Sequence, residues 1–416
     1  MKKKLLSLLL TFVMVLGLLQ GNAMVADAAE AAWDGTTTSE PAQVDGVYQI
    51  SNAAELAWLA DQINTSNATV HFEGVTFELI ADIDLENQPW TPIGCLVGNN
   101  TYDNYFSGTF EGNGHMIKNL NVSEYSKMNV GLFGHIENAT IKNLSVEGSI
   151  TSGLGRKGGI VGLAKNATIM NCLSYVNISS TYNYSGGIAG YVSSTSVQCC
   201  VNLGSISGGN QNGGIVGASC DDTSITDCYN RGDVTSTGAT AGGITCPLMA
   251  KYSVTVTNCY STGNVTSATR AGKLVGVDST SSKLATVITN SYSLTESTVP
   301  DGALGLHGTE VDSDALAGMA GTLGSNWTAD ADEINDGYPI LTWQASSTEE
   351  PDEPEVLAGD FDGNGEITLA DVMGTLAAYK SGAELTDAQK AAVDTDGDGE
   401  VSLAEYMAVL AIYKQS

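Results

Sequence analysis

The stretch of sequence that decides the fold is Gly158-Gly159-Ile160-Val161-Gly162, followed by Ile169-Met170-Asn171-Cys172. The first phrase also occurs at 130–134, as Gly186-Gly187-Ile188-Ala189-Gly190 and as Gly213-Gly214-Ile215-Val216-Gly217, with degenerate copies at 242–244 and 272–276. The second phrase returns at 141–144, 197–200, 225–228, 256–259 and 288–291. The first glycines of successive copies, Gly158, Gly186, Gly213, Gly242 and Gly272, are 28, 27, 29 and 30 residues apart. The chain therefore contains a repeat, and the repeat sets the architecture.

A repeat of this length, made of short β-rich phrases, cannot bury its apolar side alone, but stacked copies can, at about 4.8 Å of rise each. We expect a core ladder of the apolar positions that close each copy: Ile150, Ile178, Ile206, Val234 and Val265. Asparagine tolerates a left-handed bend and its amide can bond to the next coil, so we also expect a turn ladder. Its members are Asn143, Asn171, Asn258 and Asn290, with Asp227 in the same position. The sequence thus predicts a mainly β protein containing a parallel β-helix, right-handed by the general crossover rule.

Four cysteines occupy one position of successive coils: Cys172, Cys200, Cys228 and Cys259. Side chains in register point in parallel, which is poor geometry for a disulfide. We therefore expect an inward ladder of thiols, with a disulfide framework as the alternative that eight cysteines in a secreted chain would suggest. The states of Cys199, Cys220 and Cys246 are left open, and no cysteine spacing is typical of a zinc site.

The composition limits the classes of function. A length of 416 residues allows two or three domains, and 42% hydrophobic residues suffice for a core. The net charge is −30, from 47 acidic and 17 basic residues. Because such a chain repels phosphate groups, nucleic-acid binding is not expected, and the acids instead suggest solubility and cation binding.

The N-terminus has the pattern of a secretion signal. Lys2, Lys3 and Lys4 precede an apolar stretch from Leu5 to Leu19, and Ala26-Asp27-Ala28 fits a small-x-small cleavage site. The apolar stretch is short for a membrane span, so cleavage is preferred over the alternative of an uncleaved anchor. We predict that residues 1–28 are a signal peptide. The chain would then be secreted, extracellular or in a cell-surface complex, with no membrane insertion after cleavage.

The repeats resemble the GLUG family, named for a Gly-Leu-hydrophobic-Gly core. The most specific match is 106–120, which reads Phe-Ser-Gly-Thr-Phe-Glu-Gly-Asn-Gly-His-Met-Ile-Lys-Asn-Leu. The resemblance implies a solenoid over 105–295, an N-terminal cap region over 29–104 and a C-terminal cap region over 296–344. Residues 53–63 are predicted to be an amphipathic helix that covers the open end, with Asn52 and Glu55 spaced as a capping box.

An acidic, Pro-containing linker at 345–356 precedes two calcium-type loops. Alternate positions of a tightly wound loop converge on one point, and Ca²⁺ prefers about six to eight oxygen ligands. The residues with this spacing are Asp360, Asp362, Asn364, Glu366, Thr368 and Asp371, then Asp394, Asp396, Asp398, Glu400, Ser402 and Glu405. We predict that they bind two Ca²⁺ ions, Glu366 and Glu400 through backbone carbonyls, and Thr368 and Ser402 through water.

Residues 357–416 resemble a type I-like dockerin, the small all-α module that binds cohesin domains of scaffolding proteins in cellulosomes. The first loop lacks an incoming helix, and the half from Asp360 to Lys380 is repeated from Asp394 to Lys414. The resemblance implies that cohesin contacts Leu369, Ala370, Lys380, Leu403, Ala404 and Lys414. The Leu-Ala pairs differ from the hydroxyl pairs common in dockerins, and the alternative is that Leu369 and Leu403 are helix core.

The solenoid carries weaker chemical signals. Gly153-x-Gly155-x-x-Gly158 matches a phosphate-loop pattern but opens no helix, so we interpret it as a turn. Asp221 and Asp222 resemble the paired acids of β-helix pectin hydrolases and are weak catalytic candidates, since the Gly-His-Gly and Arg-x-Lys phrases of those enzymes are absent. The scattered histidines are expected to be structural: His71, His115, His135 and His307.

The sequence therefore predicts a secreted component of a cohesin–dockerin assembly, with a non-catalytic solenoid for adhesion or for binding polysaccharide or a surface partner. The alternative is a polysaccharide lyase or glycoside hydrolase of the β-helix type, carried on the same dockerin. None of the three arginines, Arg156, Arg231 and Arg270, has an acidic cluster that suggests a lyase. Assays of binding and of product release on plant polysaccharides would separate the two interpretations.

Overall fold

The computed structural model describes residues 32–65, 70–95, 104–123, 128–151, 154–238, 240–248, 253–277, 286–300, 305–346, 358–361, 367–382, 385, 387–394 and 401–414. The signal peptide predicted at 1–28 and most of the linker predicted at 345–356 lie outside these residues. The chain divides into two compact units, with the boundary between Trp343 and Gln344.

The first unit is a β-solenoid of about eight turns. Parallel pairing joins equivalent strands of successive turns in three sheets. The largest sheet contains Val47–Ile50, Thr76–Leu79, Ile83–Asp84, Thr109–Glu111, Met116–Val122, Thr140–Ile150, Thr168–Ser179, Ser196–Gln198, Val201–Asn202, Ile206–Gly208, Thr223–Thr226, Tyr229–Asn230, Val234–Ser236, Val254–Thr257, Tyr260–Ser261, Val265–Thr266, Thr286–Thr289, Tyr292–Leu294 and Thr309–Val311, with Ala42–Val44 antiparallel to Val47–Ile50. The second sheet contains Asn129–Val130, Arg156–Gly158, Ser185–Gly186, Asn212–Gly213, Thr240–Gly242 and Arg270–Gly272. The third contains Phe133–Glu137, Val161–Lys165, Ala189–Ser193, Val216–Cys220 and Thr245–Pro247.

The register of the sheets reproduces the repeat in the sequence. One ladder pairs, in order, Ile141, Ile169, Val197, Ile225, Val256 and Ile288. A second ladder pairs the residues that close each copy, all of them buried: Ile150, Ile178, Ile206, Val234 and Val265. The predicted parallel stacking of the repeats is thereby confirmed.

A ladder of left-handed turns follows one edge of the solenoid. The predicted positions all have φ between 45° and 53°: Asn143, Asn171, Asp227, Asn258 and Asn290. The Asn171 amide donates to the Asn143 side-chain oxygen over 2.9 Å, and the Asn258 amide donates to the Asp227 carboxylate over 3.0 Å. Cys199 takes the position between Asn171 and Asp227, with φ of 49°. A thiol is a weak donor, so the chain of amide bonds is interrupted there.

The predicted thiol ladder is present. The four cysteines are fully buried free thiols within the hydrophobic core: Cys172, Cys200, Cys228 and Cys259. The Cys172 Sγ lies 3.2 Å from the Met170 carbonyl oxygen, and the Cys200 backbone N–H points to the Cys228 Sγ over 3.4 Å. A disulfide framework among these four is therefore wrong, and they serve as small core residues with a weak S–H donor.

Helix α1 (Ala53–Thr65) forms where the periodicity predicts it. Its buried residues Leu56, Leu59 and Ile63 belong to the same hydrophobic cluster as the solenoid core. The Asn52 side chain accepts the Glu55 N–H over 3.1 Å, as a capping box requires. The Glu55 carboxylate instead accepts the N–H of Ser51, over 2.7 Å, so the reciprocal half of the box is shifted by one residue. That α1 closes the open end of the solenoid stays a prediction.

Residues 312–343, which we call the strap, run back along the outside of the solenoid. The elements of this segment are α2 (Ser313–Ala317), α3 (Ala320–Leu323), the antiparallel strands Trp327–Thr328 and Ile340–Leu341, and the start of α4 (Thr342–Ser346). The strap packs on outward side chains of successive coils: Leu173, Val201, Tyr229 and Tyr260. Ser145 holds the same position one coil earlier and is polar. The outward-facing side chains at this position of the repeat are thus apolar in the coils that the strap covers. The sequence analysis did not predict this.

The second unit is a small helical unit in its described residues. It contains α5 (Leu369–Ser381), α6 (Asp387–Val393) and α7 (Leu403–Tyr413). The hydrophobic cluster of this unit is formed by Val372, Ala378, Leu385, Ala392, Val393, Val401 and Val409. Helices α5 and α7 begin at equivalent positions of the two sequence halves, as the internal repeat predicts. The assignment of this unit to the dockerin family stays a prediction.

Candidate functional site

The two main helices of the second unit begin with matching hydrogen-bonded caps. The Asp371 carboxylate accepts the Thr368 N–H over 2.7 Å, and the Glu405 carboxylate accepts the Ser402 N–H over 2.8 Å. The hydroxyls of Thr368 and Ser402 accept helix N–H groups in return. These reciprocal bonds satisfy donors that a helix start otherwise leaves open. Each loop therefore ends in an acid fixed on the first turn of a helix.

The structure describes only part of the two predicted calcium loops. Asp360, Asp371 and Glu405 are buried acids, and Asp394 is partly buried. The middle ligands lie outside the described residues: Asp362, Asn364, Glu366, Asp396, Asp398 and Glu400. Among the residues that are described, no three acids, histidines or cysteines converge as a metal site. The carboxylates at the two helix starts accept hydrogen bonds in the caps, and Ca²⁺ binding by them stays a prediction.

Helices α5 and α7 present matching exposed apolar faces. Leu369 is 56% exposed and Leu403 is 55% exposed. The alternative interpretation of these leucines as helix core is therefore wrong. The other predicted cohesin contacts are exposed as well: Ala370, Lys380, Ala404 and Lys414. One turn further along each helix, Met373 and Met407 are also more than half exposed. The sequence analysis missed these two methionines, although their i+4 spacing from the leucines in both halves was the available signal.

Asp221 and Asp222 lie in a tight turn between the strands Val216–Cys220 and Thr223–Thr226. Both have left-handed backbone conformations, with φ of 49° and 51°. The Asp221 carboxylate accepts the Ser193 hydroxyl over 2.9 Å and the Cys220 thiol over 3.3 Å. Asp222 accepts the Ser253 N–H over 3.4 Å. These bonds give both acids a role in holding the turn between neighbouring coils.

The four histidines have separate surroundings. The His71 ring stacks on Tyr105 with centroids 3.9 Å apart, and His115 Nδ1 lies 3.3 Å from the Asp82 carboxylate. His307 Nδ1 accepts the Lys273 N–H over 3.3 Å. His135 is buried, and burial, followed by the charges of Lys165 and Arg156, lowers the pKa of its ring to about 3. The imidazole of His135 is therefore neutral at physiological pH.

Two clefts at the N-terminal end of the solenoid share Trp33. The larger has a volume of about 540 Å³ and is lined by acids and helix-start residues, among them Asp34, Asn52, Asp82, Asp84 and Glu86. The smaller has a volume of about 230 Å³ and includes Asn64 and Trp90. Side-chain and backbone hydrogen bonds from Thr37 hold the pKa of Asp34 well below its usual range. The sequence analysis missed these clefts because their walls come from segments far apart in the chain.

The fold defines a repeat β-solenoid protein with a small helical second unit. No family model matches the chain. The solved structure of a candidate immunoglobulin A1 protease from Bacteroides ovatus is similar over 74% of this chain and 95% of that chain, with a TM-score of 0.55 and 19% identity. An IgA1 protease structure gives a TM-score of 0.40 at 17% identity, over 62% of this chain and 20% of that chain. At 19% identity, the similarity to the Bacteroides ovatus structure is a similarity of fold.

One curated protein resembles part of the sequence. Halomucin from Haloquadratum walsbyi (strain DSM 16790 / HBSQ001) is 32% identical over 115 residues, which is 26% of this chain. The chain spans only 1% of the length of that protein. In the described part of the chain, no helix has the length and apolar character needed to cross a membrane.

Proposed function

We propose that this protein is a secreted, non-catalytic β-helix carried on a calcium-dependent dockerin-type unit that docks to a cohesin domain of a scaffolding protein. The solenoid would then present a surface that binds polysaccharide or a cell-surface partner. One observation supports the docking role most directly, namely the matching exposed faces of α5 and α7. In both, a Leu-Ala pair and a methionine one turn later stand at equivalent positions.

Exposed apolar side chains of this size need an explanation in a small unit. The unit has few apolar residues for its own core, and yet it leaves two leucines and two methionines more than half exposed. Surfaces of this kind are typical of protein interfaces, and methionine adapts its shape to a partner. Because the two faces are equivalent, the proposal includes two cohesin-binding orientations, related by about 180° under the internal two-fold repeat.

Calcium would hold each loop against the start of its helix. The residues that would bind it are the loop acids together with Asp371 and Glu405, whose carboxylates are already fixed by the helix caps. A bound cation would offset the mutual repulsion of the carboxylates, and its binding free energy would become folding free energy. This part of the proposal is supported by the burial of Asp360, Asp371 and Glu405.

Binding is preferred over catalysis for the solenoid because Asp221 and Asp222, the catalytic candidates, take part in turn structure. A general acid and base need a carboxyl group directed at a substrate. The Asp221 carboxylate instead accepts bonds from Ser193 and Cys220. The Asp222 carboxylate accepts a backbone N–H of the next coil.

The experiment measures binding of the full chain to a panel of immobilised cohesin domains in the presence of Ca²⁺. Leu369→Gln with Ala370→Gln is expected to leave nearly full affinity, as is Leu403→Gln with Ala404→Gln, while the quadruple variant loses binding. Val44→Gln, a change at an exposed apolar residue of the first unit, is the control and leaves binding unchanged. A large loss from one pair alone contradicts the two orientations, and failure to bind any cohesin contradicts the docking role.

A further inference from the structure

The Trp33 indole separates the two clefts at the N-terminal end of the solenoid and lines both of them. Its N–H donates to the Thr37 carbonyl oxygen over 2.9 Å, which fixes the orientation of the ring. The Trp90 ring lies 6.0 Å away, centroid to centroid, and is tilted by 58°, so the two rings are not stacked. Trp33 is only partly buried. It therefore offers an aromatic surface that a molecule entering either cleft can reach.

The larger cleft has the size of a small-molecule site and is open to solvent. Its volume of about 540 Å³ lies within the range of about 300–1,000 Å³ that is typical of ligand pockets. The acids that line it are exposed side chains: Asp34, Asp82, Asp84 and Glu86. A ligand in the cleft can therefore contact these carboxylates without any rearrangement of the core.

The hydrogen-bond acceptors of this cleft are carboxylates close to Trp33 in space. Asp84 Oδ1 accepts the Glu86 N–H over 2.7 Å and the Asn119 side-chain amide over 2.8 Å, which holds the Asp84 side chain in place. The second oxygen of Asp84 and the Glu86 carboxylate have no hydrogen-bond partner among the described residues. Both groups are thus available to accept hydrogen bonds from a ligand.

The donors of the cleft come from the start of helix α1, where Ala53 and Ala54 form part of the cleft wall. The first N–H groups of a helix have no partner inside it. In the part of the chain that the structure describes, no other group accepts a hydrogen bond from the N–H of Ala53 or Ala54. The helix start carries a partial positive charge, whereas the acids opposite are negative. This combination suits neither a cation nor an anion as well as it suits a neutral ligand with both donors and acceptors.

We propose that the larger cleft, with Trp33 as its aromatic wall, binds a neutral saccharide. Every sugar hydroxyl both donates and accepts, so it can pair with the carboxylates of Asp84 and Glu86 and with the N–H groups of the α1 start. The apolar C–H face of the sugar ring would pack on the indole. A uronic acid would instead meet carboxylates of its own charge. This inference rests on the proposed polysaccharide-binding role and specifies the position and the charge class of the ligand.

The test is calorimetric titration of the full chain, in Ca²⁺, with soluble tetrasaccharides. Cellotetraose, xylotetraose and mannotetraose are the neutral ligands, tetragalacturonate is the anionic one and tetraglucosamine the cationic one. At least one neutral tetrasaccharide is expected to bind. Trp33→Ala should weaken that binding by at least about tenfold, because the aromatic wall is lost. Glu86→Gln keeps the shape of the side chain but removes the charge of the acceptor, and should weaken binding by about three- to tenfold.

Two control variants match these changes. Trp58→Ala removes another partly buried tryptophan of the N-terminal region, one that lines neither cleft. Glu73→Gln removes the charge of an exposed glutamate outside both clefts. Both should bind the neutral ligand as the parent protein does. Far-UV circular dichroism and thermal unfolding check that each variant is folded, and Glu86→Gln provides a second route if Trp33→Ala is not.

The possible outcomes separate this cleft from the wider binding role. Equal weakening by Trp33→Ala and Trp58→Ala would show a general effect on the region and overturn the cleft as the site. Neutral binding that neither Trp33→Ala nor Glu86→Gln changes would also overturn the cleft, while leaving the proposed saccharide role intact. Binding of tetragalacturonate or tetraglucosamine alone would overturn the neutral ligand class. If no saccharide binds but cohesin docking persists, the cleft and the polysaccharide role fail and docking stands.

Discussion

Trp327 is one of the buried residues that hold the strap to the solenoid, and removing this side chain should loosen the strap. Trp327 is buried, and its ring centroid lies 5.9 Å from that of Tyr229 and 5.3 Å from that of Tyr260. Its Nε1 donates to the Asp227 carboxylate over 3.2 Å. Asn326 donates to the other oxygen of the same carboxylate over 2.8 Å.

The expected magnitudes follow from these contacts. Trp327→Ala loses the buried ring and should cost about 3–5 kcal/mol in the free energy of strap opening. At about 1.4 kcal/mol for each factor of ten, the opened strap becomes roughly a hundredfold to a few thousandfold more populated. Trp327→Phe keeps most of the ring packing but loses the bond to a charged acceptor, so it should cost about 1.5–3 kcal/mol.

Limited proteolysis of the full chain measures this opening, because cleavage follows the population of the open state when closing is fast. Trp327→Ala should be cut within the strap while the β-type circular dichroism persists, since main-chain ladders hold the coils together. Trp58→Ala, at a partly buried tryptophan packed on Tyr48 in the N-terminal region, is the control and should leave the strap protected. If Trp327→Ala is cut in the strap no faster than the parent protein, the packing argument is refuted.

Three other predictions concern the core and the second unit. Burial raises the pKa of the Cys200 thiol well above its usual range, so the four thiols of the ladder should resist alkylation until the protein unfolds. Cys200→Ala should lower the free energy of unfolding by about 1–2 kcal/mol. Disulfide bridges among these four cysteines, found by mass spectrometry, would contradict the ladder. Burial lowers the pKa of Lys157 to about 7, so the unfolded chain binds more protons between pH 7 and 9 and the free energy of unfolding should rise with pH there. In urea denaturation, Lys157→Met should raise the free energy of unfolding more at pH 7 than at pH 9. An equal increase at both pH values would show that the Lys157 pKa does not control the pH dependence of stability. A chelator should unfold residues 357–416 and abolish cohesin binding, while the β-type circular dichroism of the solenoid persists. The double variant Asp360→Ala with Asp394→Ala should have the same effect. A helical unit that stays folded in chelator would refute the calcium sites.

Much of the solenoid could be predicted because its repeat makes equivalent residues meet. Once copies stack, Ile169 can only pair with its counterparts Ile141 and Val197, as it does. The turn ladder was predictable for the same reason, since asparagine is among the few residues that tolerate its left-handed bend. Cys199 shows the limit of this reasoning, because its backbone adopts the same bend without a side chain typical of it.

The sites were less predictable because they depend on contacts between copies and between distant segments. The spacing of acids around Asp360 and Asp394 predicts calcium binding from the sequence alone, because the candidate ligands are close together in the chain, and this stays a prediction. The exposure of Leu369 could not be read from the sequence, since a leucine on a helix is compatible with core or surface. The contact of Arg156 with Tyr191 was equally hidden, because it joins side chains of two different sheets on neighbouring coils.

The sequence by itself determined the period, the stacking and the ladders, because in a repeat each residue meets its own equivalent in the next coil. Only the tertiary structure decided where the strap goes. The strap lies on Val201, Tyr229 and Tyr260, apolar residues whose outward direction depends on the turn that precedes each strand. The Trp343 indole N–H donates to the Cys199 carbonyl oxygen over 3.1 Å, although the two residues are far apart in the chain. No local pattern encodes such a contact, because it forms only after the coils have assembled the surface that the strap covers.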